Sequence, residues 1–369
     1  MHVSILQENL LKALARTGRA VSAKPQLPIL SNVLLETENG GLRITATNME
    51  TTESVHAAAK VEKDGALCVP SRVLTEFVSS LPSETVALAI KDGSLSVRCS
   101  GFTATIPGVP GAEFPPVPQL GKTKGTSLQK QALINALNHV LFAAAADEGR
   151  PLLTGIRITH KDDTVVFAAT DGYRLSVKKL ALPIKNNVQL VVPARALSEV
   201  VKVSLEEKET EEIAFLQEEG GQLAFVVGDT EIFTRPIEGE YPNFEKIIPA
   251  SHTTRVLVEK EALARAVKSA AIFARDNANI IRFHIENQTM VVSANTPQVG
   301  ENQVEVSAKV DGEGGDIAFN SRFLLEFLAN FSEDELLFEM TGSLNAAVFR
   351  PVKDDSFLHV IMPVRVSAG

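Results

Sequence analysis

The side chains whose types and spacing could do chemistry are cations set at helical intervals. Lys12, Arg16 and Arg19 recur at i, i+4 and i+7, opposite an apolar face of Leu10, Leu11 and Leu14. Arg265, Lys268 and Arg275 stand roughly opposite Leu263, Val267, Ala270 and Ala274. Arg72, Arg195 and Lys202 add positive charge to a second type of helix. A cationic helix face grips phosphate oxygens without reading bases, so the chemistry implied is sequence-independent, salt-sensitive binding of a polyanion. Any soluble helix also shows charge to water, and the helix expected over 128–145 offers Gln131, Asn135 and Asn138 in place of cations. The acidic residues tip the reading toward binding, because they fall mostly in expected hairpins and loops, segregated from the helix cations.

Groups suited to catalysis form no local motif. Gly121-Lys122-Thr123 ends like a phosphate-binding loop, but that loop needs a glycine five residues before Gly121, where Pro116 stands. Gly312-Glu313-Gly314-Gly315 falls between two expected strands, as a turn would. The seven histidines lack metal-ligand spacing, and there is no Gly-x-Ser-x-Gly elbow or local Cys/His pair. The expectation is a protein without catalysis, metal or cofactor. An enzyme with a site assembled from distant residues stays open, as does a repeat scaffold that binds no nucleic acid.

The elements that must position the cations are written three times. Val69-Pro70-Ser71-Arg72, Val192-Pro193-Ala194-Arg195 and Phe319-Asn320-Ser321-Arg322 each continue as Arg-x-Leu-x-Glu, ending at Glu76, Glu199 and Glu326. They recur at nearly equal intervals, with their surroundings repeating, which marks one domain pattern in triplicate. Arginine and glutamate four apart are expected to pair on each helix, with Ser71 and Asn320 as N-caps. Another helix opens each third, over roughly 7–20, 128–145 and 260–275. Hairpins turn at Asn39-Gly40, Asp162-Asp163 and Asn287-Gln288, then at Asp92-Gly93, Gly220-Gly221 and Thr341-Gly342. Two helices with several short antiparallel strands make each unit an α+β domain. The boundaries expected are 1–124, 125–250 and 251–369, with a polar linker over Gln119–Thr126. The acidic run Glu206 to Glu212 is expected to be a solvated loop.

Bulk composition agrees with three soluble domains. The chain has 369 residues, 44% hydrophobic and 22% charged, enough to bury a core in each third. A net charge of −9 carries no global signature of a nucleic-acid binder, so any such contact must be local. Cys68 and Cys99 read as small buried hydrophobes of a reducing compartment. The N-terminus leads directly into a helix without a signal-like segment, and no apolar run reaches spanning length, so the location expected is cytoplasmic.

Two further stretches stand out. Thr170-Asp171-Gly172-Tyr173-Arg174-Leu175 closes a strand with an aromatic, a cation and an aliphatic just past a turn. His359-Val360-Ile361-Met362-Pro363-Val364-Arg365-Val366 is an apolar chain end of the kind tied into a sheet or groove. Together with Leu27-Pro28-Ile29-Leu30, Val192-Pro193-Ala194-Arg195 and Tyr241-Pro242-Asn243-Phe244, these resemble the bacterial β sliding clamp family along essentially the whole chain.

That resemblance implies the processivity subunit of a replicative DNA polymerase, each chain forming half of a closed ring. Two copies would join head to tail around duplex DNA, with helices lining the hole and sheets outside. By position, Lys24, Arg72, Arg150 and Arg195 would face DNA, and the other helix cations extend that set. The resemblance also implies one pocket per chain, where polymerases, the clamp loader and repair proteins dock a short linear segment. Its residues would be Leu153, Thr170, Gly172, Tyr173, Arg174 and Leu175; Pro242, Lys246 and Ile247; Leu344 and Val360; and Met362, Pro363, Val364 and Arg365. A mostly apolar cleft with a flexible methionine suits varied aliphatic or aromatic anchors. Ile272 and Phe273 match the helix side of the dimer interface, Phe102 and Ala104 its strand side.

Overall fold

The computed structural model describes residues 1–21, 25, 27–121, 125–147, 149–182 and 189–365. Lys24, the middle of the Gln119–Thr126 linker and the Ser367–Gly369 tail lie outside the described residues.

Two helices occur in each repeat, among the described residues. The opening helices are α1 (Gln7–Thr17), α3 (Lys130–Asn138) and α5 (Lys260–Ala274); the Arg-x-Leu-x-Glu helices are α2 (Ser71–Ser79), α4 (Ala194–Glu206) and α6 (Ser321–Asn330). Helix α3 is shorter than the sequence pattern suggested. Past Asn138 the chain tightens, Val140 N–H donating to Leu137 O at 3.0 Å, and a 3-10 turn follows at Leu141–Ala143. Asn320 caps α6, its side chain accepting from Arg322 N–H at 3.0 Å. Ser71 does not cap α2: Pro70 holds that position and Ser71 lies buried inside the first turn.

Hairpin turns fall where expected. Asn39-Gly40 has φ 50° and 76°, and Asp92-Gly93 has φ 48° and 74°, the left-handed pair of tight two-residue turns. The strand pairs among the described residues are antiparallel; hairpin neighbours such as Asn32–Glu38 with Gly41–Thr47 and Gly155–Lys161 with Thr164–Thr170 are joined by turns too short for a crossover.

The residues pack as two compact units: Met1–Leu133 with Arg195–Pro236, and Ile134–Ala194 with Ile237–Gly369. The division cuts through the middle repeat because its strands complete both neighbours' sheets. In the first unit, Thr230–Thr234 pairs with Thr51–Ala57, joining strands of the first two repeats into one nine-stranded sheet. In the second unit, Phe357–Ile361 pairs with Arg174–Ala181 in the same way, within a twelve-stranded sheet. A separate five-stranded sheet of the first unit ends at Phe102–Pro107, whose outer edge has no described neighbour. In the second unit, residues 300–307 of the Gly300–Gly312 strand pair on one side only, with Thr289–Thr296.

Each unit has its own core. In the first, Leu10, Ala13 and Leu14 of α1 and Leu74 and Val78 of α2 pack on Val3, Ile44, Leu88 and Val97 of the sheets. In the second, Leu263 and Val267 of α5 and Leu324 and Phe327 of α6 meet Phe283, Phe319, Phe338 and Phe349. Burial of each such side chain is worth about 1.5–3 kcal/mol, so core packing anchors the helices whose outer faces carry the cations.

Candidate docking groove and nucleic-acid surface

The groove is built on one turn. Asp171 Oδ1 accepts from the Tyr173 and Arg174 N–H groups at 2.9 and 3.0 Å. Thr170 Oγ1 donates to Arg174 O at 2.6 Å and accepts from Gly172 N–H at 3.0 Å. These side-chain bonds replace a second turn of ladder and fix the loop before the next strand begins. Gly172 sits at φ 91°, a left-handed conformation that favours glycine, and a Cβ there would come within 2.8 Å of the exposed Arg150 Nη1, which would have to move aside.

Behind the turn lies an apolar floor. Leu153, Leu175 and Val360 share one buried cluster with Tyr241, Phe244 and Val348. The chain end is tied across it: Met362 N–H donates to Tyr173 O at 2.8 Å, and Val364 N–H to Ala318 O at 2.8 Å. Pro363 is half-buried between these two bonds, and Arg365 is exposed. Tyr173 is 60% exposed, and Ile247, Leu344 and Met362 are exposed apolar side chains as well. Pro242 and Lys246 are exposed on the stretch that carries the 3-10 turn Phe244–Ile247.

Unlike the exposed Tyr173 beside it, the charged Arg174 is almost wholly buried. Its guanidinium donates from Nε to Asp171 Oδ2 at 3.1 Å and from Nη2 to Phe142 O at 2.6 Å, and pairs with Glu326 at 2.5 Å. It also stacks over the Phe323 ring at 4.7 Å. Beneath it His359 is fully buried, with Nδ1 2.7 Å from Ser176 Oγ and its ring flat against Phe327. Burial, and then the Arg174 charge, hold the His359 pKa well below the ordinary imidazole value, so this side chain is neutral. The pocket set that the resemblance implies leaves out Tyr241, Phe244, Phe142, Phe323 and Glu326, the last marked in the sequence only as a helix residue expected to pair with Arg322. The one available signal was the repeated glutamate of the Arg-x-Leu-x-Glu helix.

A polar cavity of about 720 Å³ in the same unit is lined by Asn277, Arg282, Ser293, Asn295, Glu301 and Gln303, and holds none of the groove residues. Among the described residues no three His, Cys, Asp or Glu side chains gather as a metal ion needs. Nor is any described helix long and apolar enough to cross a membrane.

The cations divide into two populations. Arg72, Arg195, Arg265, Lys268 and Arg275 are exposed, as is Arg150 beside Gly172. Arg72 pairs along its own helix with Glu76 at 2.7 Å, and Lys202 pairs with Glu199 at 2.8 Å. Two of the expected phosphate contacts are corrected. Arg16 is 1% exposed, bonded to Glu206, Glu207 and Asp229 at 3.2, 3.1 and 2.6 Å. Arg19 is held by Glu199 at 3.0 Å and Glu206 at 2.5 Å. Lys12 keeps half its surface but pairs with Glu207 at 3.2 Å. The acidic run is the expected loop over residues 207–211, with Lys208, Glu209 and Glu211 exposed, but its first two glutamates are not free: Glu206 and Glu207 stand at the C-terminal end of α4, an unfavourable place for anions, and the cations of the first repeat offset that.

Among the described residues, the Arg–Glu pairing expected in each repeat therefore occurs only in the first. Glu199 is taken by Arg19 and Lys202, and Glu326 by Arg174. On the dimer-interface candidates, Phe102 and Ile272 are 47% and 53% exposed, while Ala104 and Phe273 are half-buried.

Comparison with known proteins agrees with this architecture. Models of the DNA polymerase III β subunit match in three pieces: its N-terminal domain at residues 1–118, its central domain at 127–243 and its C-terminal domain at 245–365. The β sliding clamp of Synechococcus elongatus is 30% identical, covering 98% of both chains. That of Staphylococcus aureus is 26% identical, covering 99% of both. Among solved structures, a sliding clamp from Bartonella birtlesii bound to griselimycin matches with a TM-score of 0.92 at 26% identity, covering 99% of this chain and 100% of that one. The Bacillus subtilis polymerase sliding clamp shares the fold at a TM-score of 0.93, 22% identity and 99% coverage of each chain. With three consecutive domain matches and relatives aligned from end to end, the chain belongs to the bacterial β sliding clamp family, the β subunit of DNA polymerase III.

Proposed function

We propose that two copies of this chain close head to tail into a ring around duplex DNA, without catalysis of their own. The ring slides along DNA and tethers the replicative polymerase, the clamp loader and repair proteins in the cytoplasm. One observation carries the reading. The strand junction between successive repeats is made twice within the chain, Thr230–Thr234 on Thr51–Ala57 and Phe357–Ile361 on Arg174–Ala181. The strands that would make a third, Phe102–Pro107 and residues 300–307, are left with open edges. An open edge is a template for another chain, and two such junctions close a dimer. Phe102 and Ala104 lie on one of these edges. Ile272 and Phe273 lie on α5, the helix packed beside the other.

In this ring Arg72, Arg195, Lys202, Arg265, Lys268 and Arg275 contact phosphates. Arg150 stands at the rim of the docking groove, and Lys24 joins the set by family resemblance. Topological enclosure replaces tight affinity, which suits a chain of net charge −9. The groove of Leu153, Thr170, Gly172, Tyr173, Arg174, Leu175, Pro242, Lys246, Ile247, Leu344, Val360, Met362, Pro363, Val364 and Arg365 receives the partners' apolar segments. Its exposed aromatic and aliphatic rim over a buried floor is the supporting geometry.

The test has two arms. Solution mass should be about twice 39.7 kDa. Protein loaded onto closed circular DNA should stay bound through a high-salt wash and be lost when the circle is cut. Equal retention on circular and linear DNA would reject enclosure.

A further inference from the structure

We infer that Glu326 of α6 is a positioning residue that sets the rim of the docking groove by acting through the buried Arg174. The inference rests on the docking assignment proposed above. A continuous chain of contacts runs from α6 to the rim. Glu326 pairs with Arg174 at 2.5 Å, Arg174 bonds Asp171 at 3.1 Å, and Asp171 fixes the Tyr173 N–H at 2.9 Å. Tyr173 O in turn accepts from Met362 N–H at 2.8 Å. Phe323 supports this path at two points, stacked against the Tyr173 ring at 6.4 Å and under the Arg174 guanidinium at 4.7 Å. Tyr173, Met362 and Glu326 are exposed along the path, whereas Arg174 between them is buried.

The repeats show that this use of the glutamate is a choice. In α2 the equivalent Glu76 pairs with Arg72 four residues back, the ordinary partner on an isolated helix face. In α6 the same position turns away from Arg322 and anchors an arginine from the preceding repeat. A half-exposed ion pair adds little to stability by itself. Its bidirectional link to Asp171 and to the Phe142 carbonyl fixes where Arg174 lies, and hence where the turn places Tyr173. Without the carboxylate, Arg174 loses one of three polar anchors and the rim gains freedom, a cost that appears when a partner must order it.

The chain has two tyrosines and no tryptophan, and Tyr241 is buried, so quenching of tyrosine emission by acrylamide reports on Tyr173. In the full-length protein, Glu326→Gln should weaken binding of a labelled peptide from the replicative polymerase's docking segment by about 3- to 10-fold. Tyr173 should become more quenchable and the urea midpoint should stay put, while Glu326→Asp keeps most of both properties. Wild-type affinity in Glu326→Gln beside lost affinity in Met362→Ala would overturn the positioning role and leave the groove intact. Weakened binding with unaltered Tyr173 quenching would overturn it too. Wild-type affinity in both variants would remove the docking assignment itself, and this inference with it.

Discussion

Arg16 shows how context decides what a cation is for. On a helical wheel it belongs with Lys12 and Arg19, yet three carboxylates and the Thr230 hydroxyl surround it. Removing one partner of a buried charge cluster strands the others, so Arg16→Ala should cost roughly 3–5 kcal/mol in urea unfolding of the first unit. Arg72→Ala, by contrast, should leave unfolding unchanged and reduce only the salt dependence of DNA binding; a lowered urea midpoint would show that Arg72 is structural. In the groove, Leu175 is buried and Met362 is exposed. Leu175→Ala should therefore lower stability by about 2–5 kcal/mol, confounding any binding measurement. Met362→Ala should weaken a docked peptide by about 1–3 kcal/mol with folding intact, and titration calorimetry beside a melting curve separates the two.

Between elements, the junction of α1 with α4 is ionic. Glu53, on the strand beneath it, is fully buried near Arg19, and neither of its oxygens has a hydrogen-bond partner. Burial pushes its pKa up to about 8, with Arg19 opposing and Glu199 adding to the shift. A carboxyl whose folded pKa is raised stabilises fully below its unfolded value near 4.5. That contribution is lost as pH rises through about 8. The first unit should thus lose stability between about pH 4.5 and 8, and Glu53→Gln should flatten that slope in melts across the range; an equal slope in both proteins would count against a buried proton on Glu53. The turn at Thr47–Thr51 repeats the groove turn bond for bond, with Asn48 Oδ1 accepting from the Glu50 and Thr51 N–H groups at 3.0 and 2.8 Å. Its floor is different. Thr52 pairs with Phe233 where Leu175 pairs with Val360, and Met49 takes the place of Gly172. The repeated turn thus lacks the leucine floor that makes the later one apolar.

For the whole molecule, the open strand edges and the exposed Ile272 matter most. In the proposed ring a charge at that position would have to be buried against a second copy. Ile272→Glu should therefore give a species near 39.7 kDa by light scattering, with the thermal transition of each unit retained. A persisting dimer would place the interface elsewhere.

The sequence by itself determined the triplicate α+β plan, the hairpin turns and the groove turn. These follow from short-range rules: helical and strand periodicity, turn glycines and side-chain caps that act within a few residues. It also marked Tyr241-Pro242 and Met362-Pro363, though only as motifs. Tertiary structure decided which charges are free and which are spent. Arg16 meets Glu206, Glu207 and Asp229 across about 190–213 positions of chain, and Arg174 meets Glu326 across more than 150. No local pattern encodes such partners, because Coulomb attraction depends on distance in space, and that distance is fixed only when strands of one repeat complete the sheet of another.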